Sequence, residues 1–401
     1  MFDGLRKYAP GHEAIVGVNV DYPTLYRLAD GQLAVVSQRS FSPAGKISAE
    51  AQLYVLPRHG QPWQRVPIKT VPRAVGGMVW DFPLALTHQF ADGSGICVLG
   101  PQPPRVEGEP ANCAVDLNRF VGGQVARETS TIRIPNRMDN SDGVNDIFAV
   151  HWDQLLELDD GSLIVPADVR LRGDDALISR DSLEIADAVA AGNGNWACSR
   201  VVILSSIDGG RNWQMYGNVG THTQDEGFNE GTIAKMSDGR LVIVMRLGHQ
   251  SPLHIAWSSD GGRHWTEPKP TPFECGCMPR LAVLADGSLV LLHGIQSIIP
   301  PEIAWQIGDA RPAMNLGFKY RMGEINIAVS RDGTGETWDE YGNVLTWPNT
   351  TANGGIVAVG PNHVGLVFDM RDYRGEGGQS YFSVVKYVAV DLGKTLWPKQ
   401  D

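Results

Sequence analysis

One unit recurs along the whole chain: an apolar run, an Asp-Gly pair, and a second apolar run. It reads TLYRLADGQLAVV around Asp30-Gly31, ALTHQFADGSGICVL around Asp92-Gly93 and QLLELDDGSLIVP around Asp160-Gly161. It returns as TIAKMSDGRLVIVM around Asp238-Gly239, as RLAVLADGSLVLL around Asp286-Gly287, and as GIVAVGPNHVGLVF, where Pro361-Asn362-His363 replaces the pair. Asp-Gly suits a two-residue hairpin turn in which both central residues have positive φ. The flanking Val, Leu and Ile suit buried strands. Six such hairpins imply six small sheets, and a radial array of small sheets protects its own strand edges. The expected architecture is therefore all-β: a single domain over residues 1–401, a six-bladed β-propeller with four-stranded antiparallel blades.

A second motif strengthens this reading. Ser206-Ile-Asp208-Gly-Gly210-Arg-Asn-Trp213 and Ser258-Ser-Asp260-Gly-Gly262-Arg-His-Trp265 both fit S-x-D-x-G-x-x-W. A third copy, Ser330 to Trp338, carries one extra residue, and a degenerate fourth keeps only Gly60 and Trp63. The Asp and Ser side chains can bond turn amides, Gly supplies a left-handed position, and Trp packs into the sheet. Such motifs mark the fold and do not perform chemistry.

Composition narrows the function. The net charge of −11 leaves no basic face for nucleic acid. No run of 18 apolar residues offers a membrane span. The first residues lack an apolar signal-peptide core, so a cytoplasmic location is expected, or a secreted one if a signal has been removed. The five Cys have no disulfide-framework spacing and are expected to be buried thiols; Cys275 and Cys277 form a C-x-C pair with no partner pair. No loop has diagnostic metal-ligand spacing, and no cofactor is expected. Oligomeric state has no signature.

The Asp boxes and the hairpin rhythm resemble the sialidase superfamily, most closely from His151 to Trp338. That resemblance implies a Glu just before the inner strand of the fourth blade, met by Glu230. It also implies a carboxylate-binding arginine at the far end of that hairpin, met by Arg246, and another before the Asp-box strand of the fifth blade, met by Arg321. The departures are as informative. The family's first Arg-Ile-Pro is here Asp21-Tyr22-Pro23, and Arg133-Ile134-Pro135 lies in the wrong place. The first-blade acid is missing from the segment after Gln38-Arg39, and no Tyr stands near Asn353, where the nucleophile belongs. The resemblance thus implies a retained scaffold with rewritten chemistry.

In a propeller, residues flanking the first run of each hairpin converge on one mouth. This rule selects Asp21, Asp81, Asp146, His151, Trp152, Asp153, Glu230, Arg246, Arg280, Arg321, Asn353, Asp369 and Arg371. Glu230, Asp21, Asp81 and His151 are the catalytic candidates, and the others would bind substrate. A glycosidase needs two carboxyl groups in different protonation states. Asp21 and Glu230 would face each other from the first and fourth blades, which favours an inverting displacement. Asp81 opens Asp-Phe-Pro as Asp21 opens Asp-Tyr-Pro, and a turn-capping role fits it equally. Arg246 and Arg321 would clamp the carboxylate of an acidic sugar, or else neutralise the acids. Trp152 would stack on a sugar ring, and His151 would be a base near neutral pH.

Three functions remain open on these residues. One is a sialidase-like glycoside hydrolase acting on an acidic glycan. Another is a polysaccharide lyase using His151 and the arginines, and the third is a carbohydrate- or protein-binding propeller without chemistry. Paired acids with arginines favour an enzyme with a carbohydrate substrate.

Overall fold

A computed structural model of the chain describes residues 10–18, 21–28, 31–39, 49–56, 61–66, 70–75, 78–83, 88–90, 92, 94–99, 105–106, 109–121, 124–138, 148–173, 198–222, 227–247, 251–274, 276–298, 321–347, 350, 352–372 and 382–393. Among the described residues the structure is built from strands, with one 3-10 turn at Trp152–Gln154. The chain forms two compact units, residues 86–279 and residues 1–85 with 280–401.

In the unit of residues 86–279, one ten-stranded sheet consists of two antiparallel meanders. The first contains His88–Gln89, Gly95–Leu99, Arg105–Val106, Glu109–Val121 and Gln124–Arg133. The second contains Ala149–Val150 and Leu156–Glu157, then Leu163–Val169, Arg200–Ser206 and Asn212–Thr221. They are joined edge to edge by the parallel pairing of Thr131–Arg133 with Asn212–Gln214. A separate four-stranded sheet follows, ordered Asn229–Lys235, Leu241–Arg246, His254–Ser258 and Lys269–Pro270.

The other unit repeats the pattern. One sheet runs Asp21–Arg27, Leu33–Arg39, Ala49–Leu56 and Gln64–Val66, and it is extended by the hairpin Thr70–Val75 and Met78–Pro83. A second holds Gly276–Val283, whose residues up to Pro279 belong to the unit of residues 86–279, with Leu289–Ile298, Arg321–Ser330 and Glu340–Trp347. The third holds Gly354–Gly360, His363–Asp372 and Phe382–Asp391, and its fourth strand is the N-terminal Pro10–Val18, antiparallel to Phe382–Asp391.

The second strand of each hairpin lies deepest. All seven residues of Leu163–Val169 and all six of Leu241–Arg246 are buried. Strands covered on both faces read as continuous apolar runs, not as alternating ones. Each fully buried Leu, Ile or Val contributes about 1.5–3 kcal/mol.

The hairpin turns differ from the two-residue expectation. Leu28 N donates to Gln32 O and Gly31 N to Leu28 O; Leu158/Ser162, Met236/Arg240 and Leu284/Ser288 repeat the pair with Gly161, Gly239 and Gly287. The loops are three residues long, and among their described residues only the glycine is left-handed, at φ 84, 79, 87 and 88°. This is a type I turn closed by a glycine bulge. The Asp stays right-handed because its Oδ1 accepts the N–H two residues on, from Ser162 to Asp160, Arg240 to Asp238 and Ser288 to Asp286.

The Ser-x-Asp motifs close as their residue types dictate. In the first, Ser206 Oγ donates to Asp208 Oδ1 and accepts from Gly210 N, while Trp213 Nε1 reaches Gly210 O at 3.0 Å. The second repeats this through Ser258, Asp260, Gly262 and Trp265. In the third, the extra residue moves the amide received by Ser330 Oγ to Gly335. There the N–H of Thr334, with the hydroxyls of Ser330 and Thr334, holds the Asp332 carboxyl down to about 2 against the effect of burial. Trp63 of the degenerate copy packs edge-on against Tyr387, and Gly60 lies outside the described residues. Cys97, Cys113, Cys198 and Cys277 are buried free thiols; Cys275 lies outside the described residues.

A polar row crosses one sheet. His293, Asn326 and Asn343 lie opposite one another on three adjacent strands, each no more than 1% exposed. Asn343 Nδ2 donates to Asn326 Oδ1 at 3.1 Å. Burial pushes His293 from 6.5 down to about 4. Its native form is therefore neutral, and the unfolded chain takes up the proton first as pH falls. Stability is full above about 6.5 and is lost from there towards about 4. Burial acts in the same direction on His254. Asp332 acts lower, between 3.8 and about 2. Urea unfolding at a series of pH values is expected to show this decline, and His293→Leu is expected to flatten much of it.

Candidate active site

The site in the unit of residues 86–279 starts from an irregularity in strand pairing. Asn229 pairs with Arg246 and Thr232 with Val244, so Glu230 and Gly231 together oppose Met245. This bulge turns Glu230 to φ +50°. A non-glycine residue there costs about 1–2 kcal/mol, and it persists only when its surroundings hold it. A Cβ on Gly231 would crowd Val201 Cγ1 at 3.1 Å and Ile243 Cδ1 at 3.4 Å, so a larger residue would require those side chains to give way.

Three groups hold Glu230. Its backbone N–H donates to Asp168 Oδ2 at 3.0 Å. Its Oε1 accepts from Arg246 Nη1 at 3.0 Å, and its Oε2 accepts from the backbone N–H of Met278 at 2.6 Å. Met278 is itself left-handed, at φ +46°. Both carboxyl oxygens thus face N–H donors, and the side chain is held as a carboxylate. Arg246 is 8% exposed and Glu230 19%, so the pair is partly desolvated while its acidic end stays accessible.

Asp168 ties this pair to His151. Its Oδ2 also meets His151 Nε2 at 2.8 Å, with side-chain exposures of 12% for His151 and 5% for Asp168. His151 precedes the Trp152–Gln154 turn, and its backbone is fixed by His151 N to Pro166 O and Gln154 N to His151 O. Thr232 Oγ1 donates to Gln154 Oε1, linking that turn to the Glu230 strand. Asp168 and Arg246 hold the same place in adjacent meanders, five residues after Leu163 and Leu241 open their strands.

Glu230, Arg246 and His151 are therefore brought together as candidates, through Asp168, which sequence reasoning missed. The signal was a lone acid inside an apolar strand, in LIVPADV. The Met278 amide left no signal, since any non-proline residue supplies one. Asp153 is half-buried and accepts from Gln154 Nε2. Trp152 differs from expectation. It is 9% exposed and packs edge-on against Trp213 in the core, so its faces are not presented for stacking.

The remaining candidates, apart from Asp146, belong to the other unit. Asp81 does not open a second sheet; its strand Met78–Pro83 pairs with Ala49–Leu56 and extends the first. The hairpin spacing had left that strand free to join either neighbour. Asp369 is fully buried and accepts from Thr350 Oγ1 at 3.0 Å, and Thr350 Oγ1 in turn accepts from the N–H of the left-handed Ala352. Arg280 is 8% exposed, and Asn353 is half-buried. Asp21, Arg321 and Arg371 lie in strands opposite Gln38, Ile298 and Ser383. The side chains of these three and of Asp81, and all of Asp146, lie outside the described residues.

Comparison finds the same all-β fold in solved structures. Residues 128–346, more than half of the chain, match the BNR repeat-like domain, and the chain belongs to that family. A protein of unknown function from Dyadobacter fermentans is similar over 95% of this chain and 98% of its own, with 14% identity and a TM-score of 0.58. The α-L-arabinanase of Penicillium chrysogenum, solved with arabinobiose, matches over 98% of both chains at 15% identity and a TM-score of 0.51. The α-L-arabinofuranosidase of Fusarium graminearum does so at 12% identity and 0.52. These likenesses are of fold. No curated protein matches the chain.

The Glu230–Arg246 pair makes a thermodynamic test. Arg246→Met is expected to cost about 2–3 kcal/mol, near the lower end for breaking a buried pair because Glu230 keeps some solvent contact. Adding Glu230→Gln should cost less than the sum of the single losses, with a coupling of about 1–3 kcal/mol. Urea denaturation of the four proteins in the cycle measures it.

Proposed function

We propose that the chain is a carbohydrate-active enzyme, a glycoside hydrolase whose chemistry centres on Glu230 with His151 as its proton-transfer partner. The observation that carries this is the clamped, left-handed Glu230. Three separate elements hold one strained acid whose side chain is partly exposed. Local strain of this kind is characteristic of functional positions. Glycoside cleavage passes through an oxocarbenium-like state and needs an anion near the sugar and a group that moves a proton. Glu230 supplies the first and His151 the second. Two proteins of the same fold, the arabinanase and the arabinofuranosidase, act on arabinose-containing sugars, which supports a carbohydrate substrate.

An acidic sugar would need Arg246 to exchange Glu230 for the substrate carboxylate. With Arg246 engaged at 3.0 Å, a neutral sugar is the simpler occupant. The His151–Asp168 contact favours one second reading, a lyase in which His151 removes the proton beside a uronate carboxylate. The products separate the two.

Incubation with neutral, sialylated and uronate-containing oligosaccharides, read by mass spectrometry, is expected to give products that have gained one water. Glu230→Gln should slow their formation by about 10²- to 10⁴-fold. Unsaturated products without added water, lost in His151→Gln, would replace the hydrolase with the lyase. No product from any sugar, with sugar binding retained, would replace both with a binding function.

A further inference from the structure

We infer that Asp168 is a positioning residue that organises both working groups of the site through a single oxygen atom. The inference rests on the assignment of Glu230 and His151 just made. Asp168 lies in Leu163–Val169, a strand buried along its whole length, and is itself 3% exposed. A carboxylate at such a place is costly unless donors surround it. Its Oδ2 receives two, His151 Nε2 at 2.8 Å and the Glu230 backbone N–H at 3.0 Å.

The two contacts have different effects. A carboxylate accepting from Nε2–H fixes the neutral imidazole with its proton on Nε2, leaving the basic lone pair on Nδ1. The same negative charge stabilises the imidazolium that forms when Nδ1 takes a proton, as a buried Asp does beside a catalytic His. The contact with the Glu230 amide fixes the bulge where the chain turns left-handed, and so aims the carboxylate 62 residues further along the chain. One buried atom therefore sets the tautomer of the proton carrier and the backbone of the anion together. Neither Glu230 nor His151 could be shifted without disturbing the acceptor that holds the other.

The test is Asp168→Asn, which keeps the shape of the side chain and removes its charge. In the wild-type protein, ¹⁵N NMR of selectively labelled histidine is expected to show His151 protonated at Nε2 and imine-like at Nδ1. In the variant that tautomer should lose its dominance, because an amide NH₂ can donate to Nε2. On a sugar that the wild type cleaves, kcat should fall by about 10²- to 10⁴-fold with KM little changed, the pattern for a group acting through another residue. An unchanged tautomer, with kcat falling only as far as the folded fraction falls, would make Asp168 purely structural and overturn the inference. If the wild type cleaves no sugar, the enzymatic reading fails by itself. The tautomer measurement then still decides whether Asp168 controls His151.

Discussion

A strand buried on both faces must satisfy its backbone at both edges and can carry few polar side chains along its length. This constraint shapes the whole chain. It forces each apolar hairpin into a meander in which the second strand has neighbours on either side, as Leu163–Val169 does between Ala149–Val150 and Arg200–Ser206. It also restricts chemistry to the strand ends. Asp168, Arg246 and Asp369 each stand five residues after their strands' apolar runs open at Leu163, Leu241 and Val364. Asp168 and Asp369 show two uses of such a place. One carboxylate bridges His151 and the Glu230 amide, and the other accepts from Thr350.

The strained residues follow from the same constraint. An inner strand with perfect register would keep its first side chain in the pleat, aimed at one face of the sheet. The bulge at Glu230-Gly231 breaks that register and re-aims Glu230 along the rim. Met278 uses the same left-handed device for the opposite purpose, presenting backbone and not side chain. The cost of two uncommon φ values is offset by hydrogen bonds to a charged acceptor, which are stronger than those between neutral groups.

The scaffold is legible in the sequence because its signals are periodic. Six apolar pairs around Asp-Gly or an equivalent turn need no tertiary knowledge to count. The turn type was not legible, since Asp-Gly fits either of two loops and only the Asp Oδ1 bond to the following amide selects one. Glu230 and Arg246 could be found because they flank the same hairpin. Asp168 could not, because nothing local links it to an amide 62 residues away. Trp152 was misread because an indole suits a core as well as a sugar face, and the position of Trp213 decides between them.

The pairing of Pro10–Val18 with Phe382–Asp391 gives the chain an order of assembly. Every other strand finds a hydrogen-bonding neighbour within its own stretch of sequence, so hairpins can form as the chain emerges. Pro10–Val18 has to wait until Phe382–Asp391 has been made. Until then its edge is unpaired, as is that of Phe382–Asp391 once the latter appears, and both can take up another chain. Closing a loop of this length costs entropy that grows only slowly with length, so the delay is one of timing more than of energy. A chain released before Phe382–Asp391 is made would leave the edge of Pro10–Val18 exposed, and crowded copies in that state could exchange strands before each closed on itself.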